Sequence, residues 1–128
     1  MLELLAPAGN LDAVIAAVQN GADAVYMGFG DGFNARRSAD NFTRESFAKA
    51  VRYCHIRGCK VYVTLNTLVG DREMDAAAAL AQQASDAGAD AILVQDLGLA
   101  RVLRAALPDI PLHASTQMSI HNLAGVEA

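Results

Sequence analysis

Short apolar runs alternate along this chain with segments of helical period. Residues 2–6 form an apolar run closed by Pro7, Ala8 and Gly9, which reads as a buried strand and a turn. Asn10 is suited to an N-cap. Leu11, Val14, Ile15 and Val18 then recur at i, i+3, i+4 and i+7, one face of a helix that Gly21 stops. Residues 22–27 make a second apolar run. Thr43 can cap a second helix with Phe47, Ala50, Val51 and Cys54 inward and Gly58 at its end. Residues 60–65 are rich in β-formers. Asp71 is placed to cap a third helix with Met74, Ala78, Ala81 and Ala84 inward, ended by Gly88. Residues 89–94 read as a fourth strand, 98–106 as a fourth helix closed by Pro108, and 110–114 as a fifth strand. Asn122 can cap a fifth helix near Ala128.

This alternation predicts an α/β fold of parallel βα units joined by right-handed crossovers. Residues 21–25, Gly-Ala-Asp-Ala-Val, recur as Gly-Ala-Asp-Ala-Ile at 88–92. Each copy ends a helix and begins a strand, on the face of an α/β barrel that serves stability. Two architectures fit: an open doubly wound sheet, or the N-terminal five-strand portion of a TIM-like (β/α)8 barrel. The first βα turn, residues 6–10, is too short and too poor in Gly for the phosphate loop of an open sheet. A barrel needs about 250 residues for its eight units. The 128 residues present, stopping about one turn into a helix, are expected to be a barrel cut short.

Composition sharpens this picture. Hydrophobic residues make up 53% of the chain and aromatics 5%, with no Trp and 26 Ala. Such small apolar side chains suit helices packed close onto a sheet. The net charge of −4 and pI near 5.2 give no support to broad electrostatic binding of nucleic acid, although a local basic patch stays open. No apolar run approaches the roughly 20 residues that span a membrane. No basic region precedes the N-terminal apolar stretch, so a signal peptide is not expected. The expectation is a cytoplasmic protein with no membrane partner. Cys54 and Cys59 fit a reducing compartment. With His55 they look metal-like, but they lie on the face opposite the expected site and lack a second pair of ligands. They are expected to be packing cysteines, with no metal and no cofactor in this chain.

In either architecture the working face is at the C-terminal ends of the strands. The loop at residues 28–42 is the main anomaly, since βα loops usually run about 2–6 residues. Its Arg36 and Arg37 could clamp a carboxylate or phosphate, with Asn41 nearby. Its glycines do not match the dinucleotide fingerprint. Thr64 and Asn66 share one strand face, as do His113, Ser115 and Gln117. Polar groups at the ends of apolar strands imply a wet pocket, which Gln95 would also line. Asp96 either lines it or caps the next helix. His113 and Ser115 stand side by side with no acid behind the His, which argues against a triad. His113 is better suited to acid–base work or substrate binding.

Taken together, residues 3–11, 21–28, 35–36 with 41–42, 63–67, 88–91 with 95–98, and 113–118 resemble peptidase family U32, the collagenase-like proteases, over essentially the whole chain. The resemblance implies a barrel-like catalytic domain and a peptidase acting on a peptide or other anionic substrate. It also implies an alternative, because similar proteins act in hydroxylation of RNA bases or of a quinone precursor. Family members carry a later cysteine-bearing signature and some hold an iron–sulfur cluster, which neither Cys54 nor Cys59 matches. On that reading RNA is a partner of the full-length protein; on the peptidase reading this stretch alone is expected to be inactive. A third reading is a non-enzymatic scaffold piece that self-associates through its open edge.

Overall fold

The computed structural model describes residues 1–35 and 41–128. Five strands alternate with helices: β1 (Leu5–Pro7), α1 (Leu11–Gln19), β2 (Ala24–Met27), α2 (Arg44–Ile56), β3 (Lys60–Leu65), α3 (Met74–Asp86), β4 (Ala91–Val94), α4 (Leu97–Ala106), β5 (Leu112–Ala114) and α5 (Leu123–Glu127). The strands pair in parallel in their sequence order, β1-β2-β3-β4-β5. Crossovers of one hand between neighbours taken in order must all pass over the same face of the sheet. The helices therefore lie on one side, and a doubly wound sheet is excluded. This is a five-strand arc of a β/α barrel, with a helical outer layer and an inner face.

The alternation of side chains divides the strands between these faces. Val25, Met27, Val61 and Val63 point outward and are buried with Val14 of α1 and Phe47, Ala50 and Cys54 of α2. Leu65, Ile92 and Val94 do the same beneath Ala77 and Ala81 of α3 and Leu99 and Leu103 of α4. Leu80 packs against both groups. The high Ala content has its use here: Ala77, Ala81 and Ala84 are fully buried, so α3 can lie close to the sheet. The inner face carries Ala24, Tyr62 and Ala91 with Tyr26 and Leu93.

Several boundaries differ from the sequence reading. Leu2 and Leu4 are exposed and β1 begins only at Leu5, because β1 has a neighbour on one side alone. β5, at the other edge, likewise shortens to Leu112–Ala114. Asp71 caps no helix. It opens a short 3-10 turn, Asp71–Glu73, in which a Glu73 carboxylate oxygen accepts from the Gly70 N–H at 3.0 Å, and α3 starts after it. The other caps fall where expected: Asn10, Thr43 and Asn122 each accept from a backbone N–H three residues on.

The repeated segments do the same job twice. Gly21 and Gly88 have φ of +93° and +104°, values that favour glycine, and turn the chain from helix to strand. Asp23 Oδ2 then accepts from the Leu4 N–H at 2.8 Å, ahead of the neighbouring strand β1. Asp90 Oδ2 accepts from the Val61 N–H at 2.7 Å, in the neighbouring strand β3, and also meets His55 Nε2 at 2.8 Å. Each Asp pins its strand to the preceding one at the barrel floor.

Removing the half-buried acceptor should cost more than removing the exposed one. Asp90→Ala leaves the Val61 N–H unpaired and is expected to lower stability by about 1–3 kcal/mol, more than Asp23→Ala; chemical denaturation of both variants measures the difference. The exposed β1 end (Leu2, Leu4, Leu5) and the Leu97, Leu123 and Val126 side chains at the far edge leave apolar surface open. The 128-residue chain alone is therefore expected to self-associate. A monodisperse monomer in light scattering would show otherwise.

Candidate functional site

The C-terminal ends of the strands collect polar side chains from four loops. Asn66, just past β3, lies at their junction. Its Oδ1 accepts from the Ala35 N–H at 3.1 Å, and its Nδ2 donates to Ser115 Oγ at 3.3 Å. One amide thus ties the second βα loop to β3 and to the end of β5, across the intervening β4. Ser115 is buried, and its Oγ also accepts from the Gln117 N–H at 3.3 Å, which starts a 3-10 turn over Thr116–Met118. That turn removes Gln117 from the strand alternation expected of it. β5 ends at Ala114, and Gln117 joins the site through its backbone, whose carbonyl accepts from Gln95 Nε2 at 3.2 Å.

Other predicted residues turn out to be occupied in holding the loops. Thr64 is buried on the inner face and donates to the Met27 carbonyl at 3.3 Å. Asp96 caps α4 by accepting from the Leu99 N–H at 2.8 Å, and its second oxygen accepts from the Val69 N–H at 3.3 Å. Both carboxylate oxygens are therefore engaged. Asn41 closes the second loop: Nδ2 donates to the Gly30 carbonyl at 2.8 Å, and Oδ1 accepts from Asn34 Nδ2 at 3.1 Å. Gly28 lies directly beneath this amide pair, and a Cβ there would collide with Asn41 Oδ1 and Asn34 Nδ2. Phe29 and Phe42 add a parallel bridge across the loop's base. Arg36 and Arg37 lie outside the described residues. A cavity of about 560 Å³ opens beside the loop, lined by Asp31, Phe33, Asn34, Asn41, Thr67 and Glu73 among others.

His113 sits on the inner face, half-buried, in register with Leu93. Its ring meets Tyr62 edge-on, with centroids 4.8 Å apart at 81°. The Tyr62 phenol donates to the Glu3 carboxylate, 2.8 and 2.9 Å from its two oxygens, and Lys60 Nζ approaches the same carboxylate at 3.9 Å. Glu3 and Tyr62 escaped the sequence reading. A tyrosine in phase with Thr64 along β3 was the available signal, but nothing local links it to a glutamate 59 positions away. Burial, followed by the hydrogen bond and charge of Glu3, pushes the Tyr62 phenol up from 10.0 to about 12. It remains a neutral donor at any ordinary pH.

The two cysteines are far from this site. Cys54 and Cys59 are buried at the C-terminal end of α2, clasped by the turn in which the Cys59 N–H bonds the Cys54 carbonyl and the Gly58 N–H bonds that of His55. Burial, with the neighbouring Cys59 sulfur next in effect, pushes the Cys54 thiol up to about 12. Buried protonated thiols packed at the floor are not a four-thiolate ligand set, so the described residues do not fit an iron–sulfur cluster. Among the described residues no helix is long and apolar enough to cross a membrane.

The chain matches a family model described as peptidase family U32 over residues 9–128. It is 43% identical to a 23S rRNA 5-hydroxycytidine synthase of Escherichia coli, covering 95% of this chain and 18% of that protein. It is 39% identical to a tRNA hydroxylation protein of Bacillus subtilis, covering 98% and 29%. It is 36% identical to a collagenase of Porphyromonas gingivalis, covering 94% and 28%. The chain thus spans less than a third of the length of these relatives. Among solved structures, a U32 peptidase superposes with a TM-score of 0.68 at 18% identity, over 91% of this chain and 50% of that one. That likeness supports the barrel arc and nothing finer.

The Tyr62 phenol gives the site a measurable signature. A folded-state value raised above 10.0 contributes stability that is intact below pH 10 and is lost as the pH rises through about 12. Unfolding of the protein across this range is expected to show that loss, and Tyr62→Phe is expected to remove its contribution. An identical alkaline decline in the variant would contradict the Glu3–Tyr62 pairing.

Proposed function

The chain belongs to peptidase family U32, and on that premise we propose that the full-length protein hydroxylates bases of RNA, with this stretch forming one side of its site. The carrying observation is the pair of relatives named for rRNA and tRNA hydroxylation, at 43% and 39% identity over nearly the whole chain. The polar end of the barrel supports the reading. Half-buried Gln95 and Asn66 offer amide groups suited to the edge of a base, buried Ser115 holds Asn66 in place, and His113 offers a group able to hold or move a proton. Arg36 and Arg37 would take the phosphate beside that base. A cytoplasmic location goes with such a substrate. An iron–sulfur cluster, where the full-length protein has one, would supply redox chemistry through cysteines other than Cys54 and Cys59.

Peptide hydrolysis is the second reading, favoured by the 36% identity to a collagenase. The geometry supports it less. The Ser115 oxygen already accepts from Gln117 and Asn66, and among the described residues no carboxylate hydrogen-bonds to His113. A buried serine so engaged is a poor nucleophile.

The test is mass spectrometry of nucleosides from RNA of cells that lack the gene and are complemented with the full-length protein or its variants. Wild type is expected to restore a nucleoside carrying one added oxygen. Asn66→Ala and His113→Ala, with unchanged thermal unfolding, are expected to cut that product by about tenfold or more. Full activity in both variants would overturn the site. No added oxygen in any RNA, together with cleavage of gelatin by the purified protein, would favour the peptidase reading.

A further inference from the structure

The cations of this acidic chain are unevenly placed. Four of its ten Lys and Arg residues, Arg44, Lys49, Arg52 and Arg57, fall within α2 and its C-cap, against one acid, Glu45. Its neighbours α1 and α3 differ: α1 contains Asp12 and no cation, and α3 contains Asp75 and Asp86 and no cation, while α4 carries Arg101 and Arg104. The helical period explains how α2 presents its charges. Phe47, Ala50, Val51 and Cys54 are buried, so Lys49 and Arg52 project from the opposite side, into solvent.

Little neutralises them. Lys49 pairs with Glu45 at 3.5 Å, an exposed contact of small worth. Among the described residues no carboxylate forms an ion pair with Arg44, Arg52 or Arg57. Arg57 instead lies over the Tyr53 ring, 3.7 Å from its centroid, and donates to the Tyr53 carbonyl at 3.1 Å. That contact holds a planar guanidinium against an aromatic ring, and the Arg57 side chain is exposed.

We propose that the outer face of α2 is a docking ridge for the phosphate backbone of RNA, an assignment that rests on the RNA reading above. Arg44 follows directly on the second βα loop, so the ridge begins at the rim of the site and descends the barrel wall. From Lys49 to Arg57 it runs about 12 Å at the helical rise, a length matched by about three phosphates of one strand. Phosphate contacts position a nucleic acid while contacts to base edges specify it. The ridge would hold the backbone while the strand ends meet the base. It also eases the conflict between an RNA substrate and a net charge of −4, because four of the ten cations are gathered on one helix and its cap.

The experiment compares full-length wild type with Lys49→Glu/Arg52→Glu/Arg57→Glu by filter binding to an unmodified tRNA transcript over a salt series. The variant is expected to bind at least about tenfold more weakly, with a log–log salt slope smaller by about two to three. The charge-keeping variant Lys49→Arg/Arg52→Lys/Arg57→Lys is expected to bind as wild type does, and it separates loss of charge from misfolding. Unchanged affinity and slope in the triple Glu variant would overturn the ridge and leave RNA hydroxylation standing. Weakened binding to polyglutamate with unchanged binding to tRNA would overturn it in favour of an acidic protein partner. A wild-type protein that does not bind tRNA even at low salt would overturn the ridge together with the reading beneath it.

Discussion

Parallel strands that neighbour one another in sequence order can be joined only by crossovers, and crossovers of one hand all pass over the same face. That constraint governs the rest of the molecule. It sends α1 to α4 to one side, where Val25, Val61, Ile92 and their neighbours give them an apolar bed. It leaves the other side of the sheet as an inner wall that no helix of the layer can fill. Barrel interiors are commonly packed with branched aliphatic side chains. Here the inner wall carries Tyr26, Tyr62, Thr64 and His113 beside Ala24, Ala91 and Leu93, so part of it is polar.

The same topology divides labour between the two ends of the strands. At the floor, Asp23 and Asp90 each pin a strand to the one before it, and Cys54 and Cys59 sit protonated in the turn that ends α2. At the opposite end Asn66 joins the loops after β2, β3 and β5 through two hydrogen bonds. The Glu3–Tyr62–His113 column connects these levels along the inner wall. Its members come from β3, β5 and the segment ahead of β1, so it exists only when the strands are correctly ordered.

Much of this was legible along the chain. The caps Asn10, Thr43 and Asn122, the inner row Phe47, Ala50, Val51 and Cys54, and the βα order all follow from local period and local hydrogen bonding. What local pattern missed has physical causes. Leu2 and Leu4 read as buried because apolarity does not say whether a strand has one neighbour or two. Asp71 read as a helix cap because the 3-10 turn it opens differs from a helix start by a single bond pattern. Gln117 read as strand because the Ser115 hydroxyl that starts a turn there cannot be distinguished in sequence from one that faces a pocket.

The sequence by itself determined the elements, the side of each that is apolar, the parallel pairing and the family, since these depend on neighbours a few residues apart or on motifs in fixed order. It also contained the uneven charge of α2, visible once the helix bounds are known. The Gly-poor first βα turn already favoured a barrel arc over an open sheet, and tertiary structure supplied the strand order that bears it out. Tertiary structure alone decided that Thr64 spends its hydroxyl on the backbone of β2 and Asp96 a carboxylate oxygen on the loop after β3, that Asn66 meets Ser115 across β4, and that Glu3 orients the tyrosine beside His113. Each of those contacts joins residues 27 to 59 positions apart. At such separations the hydrogen bond is specified by the stacking of strands, and no local period records it.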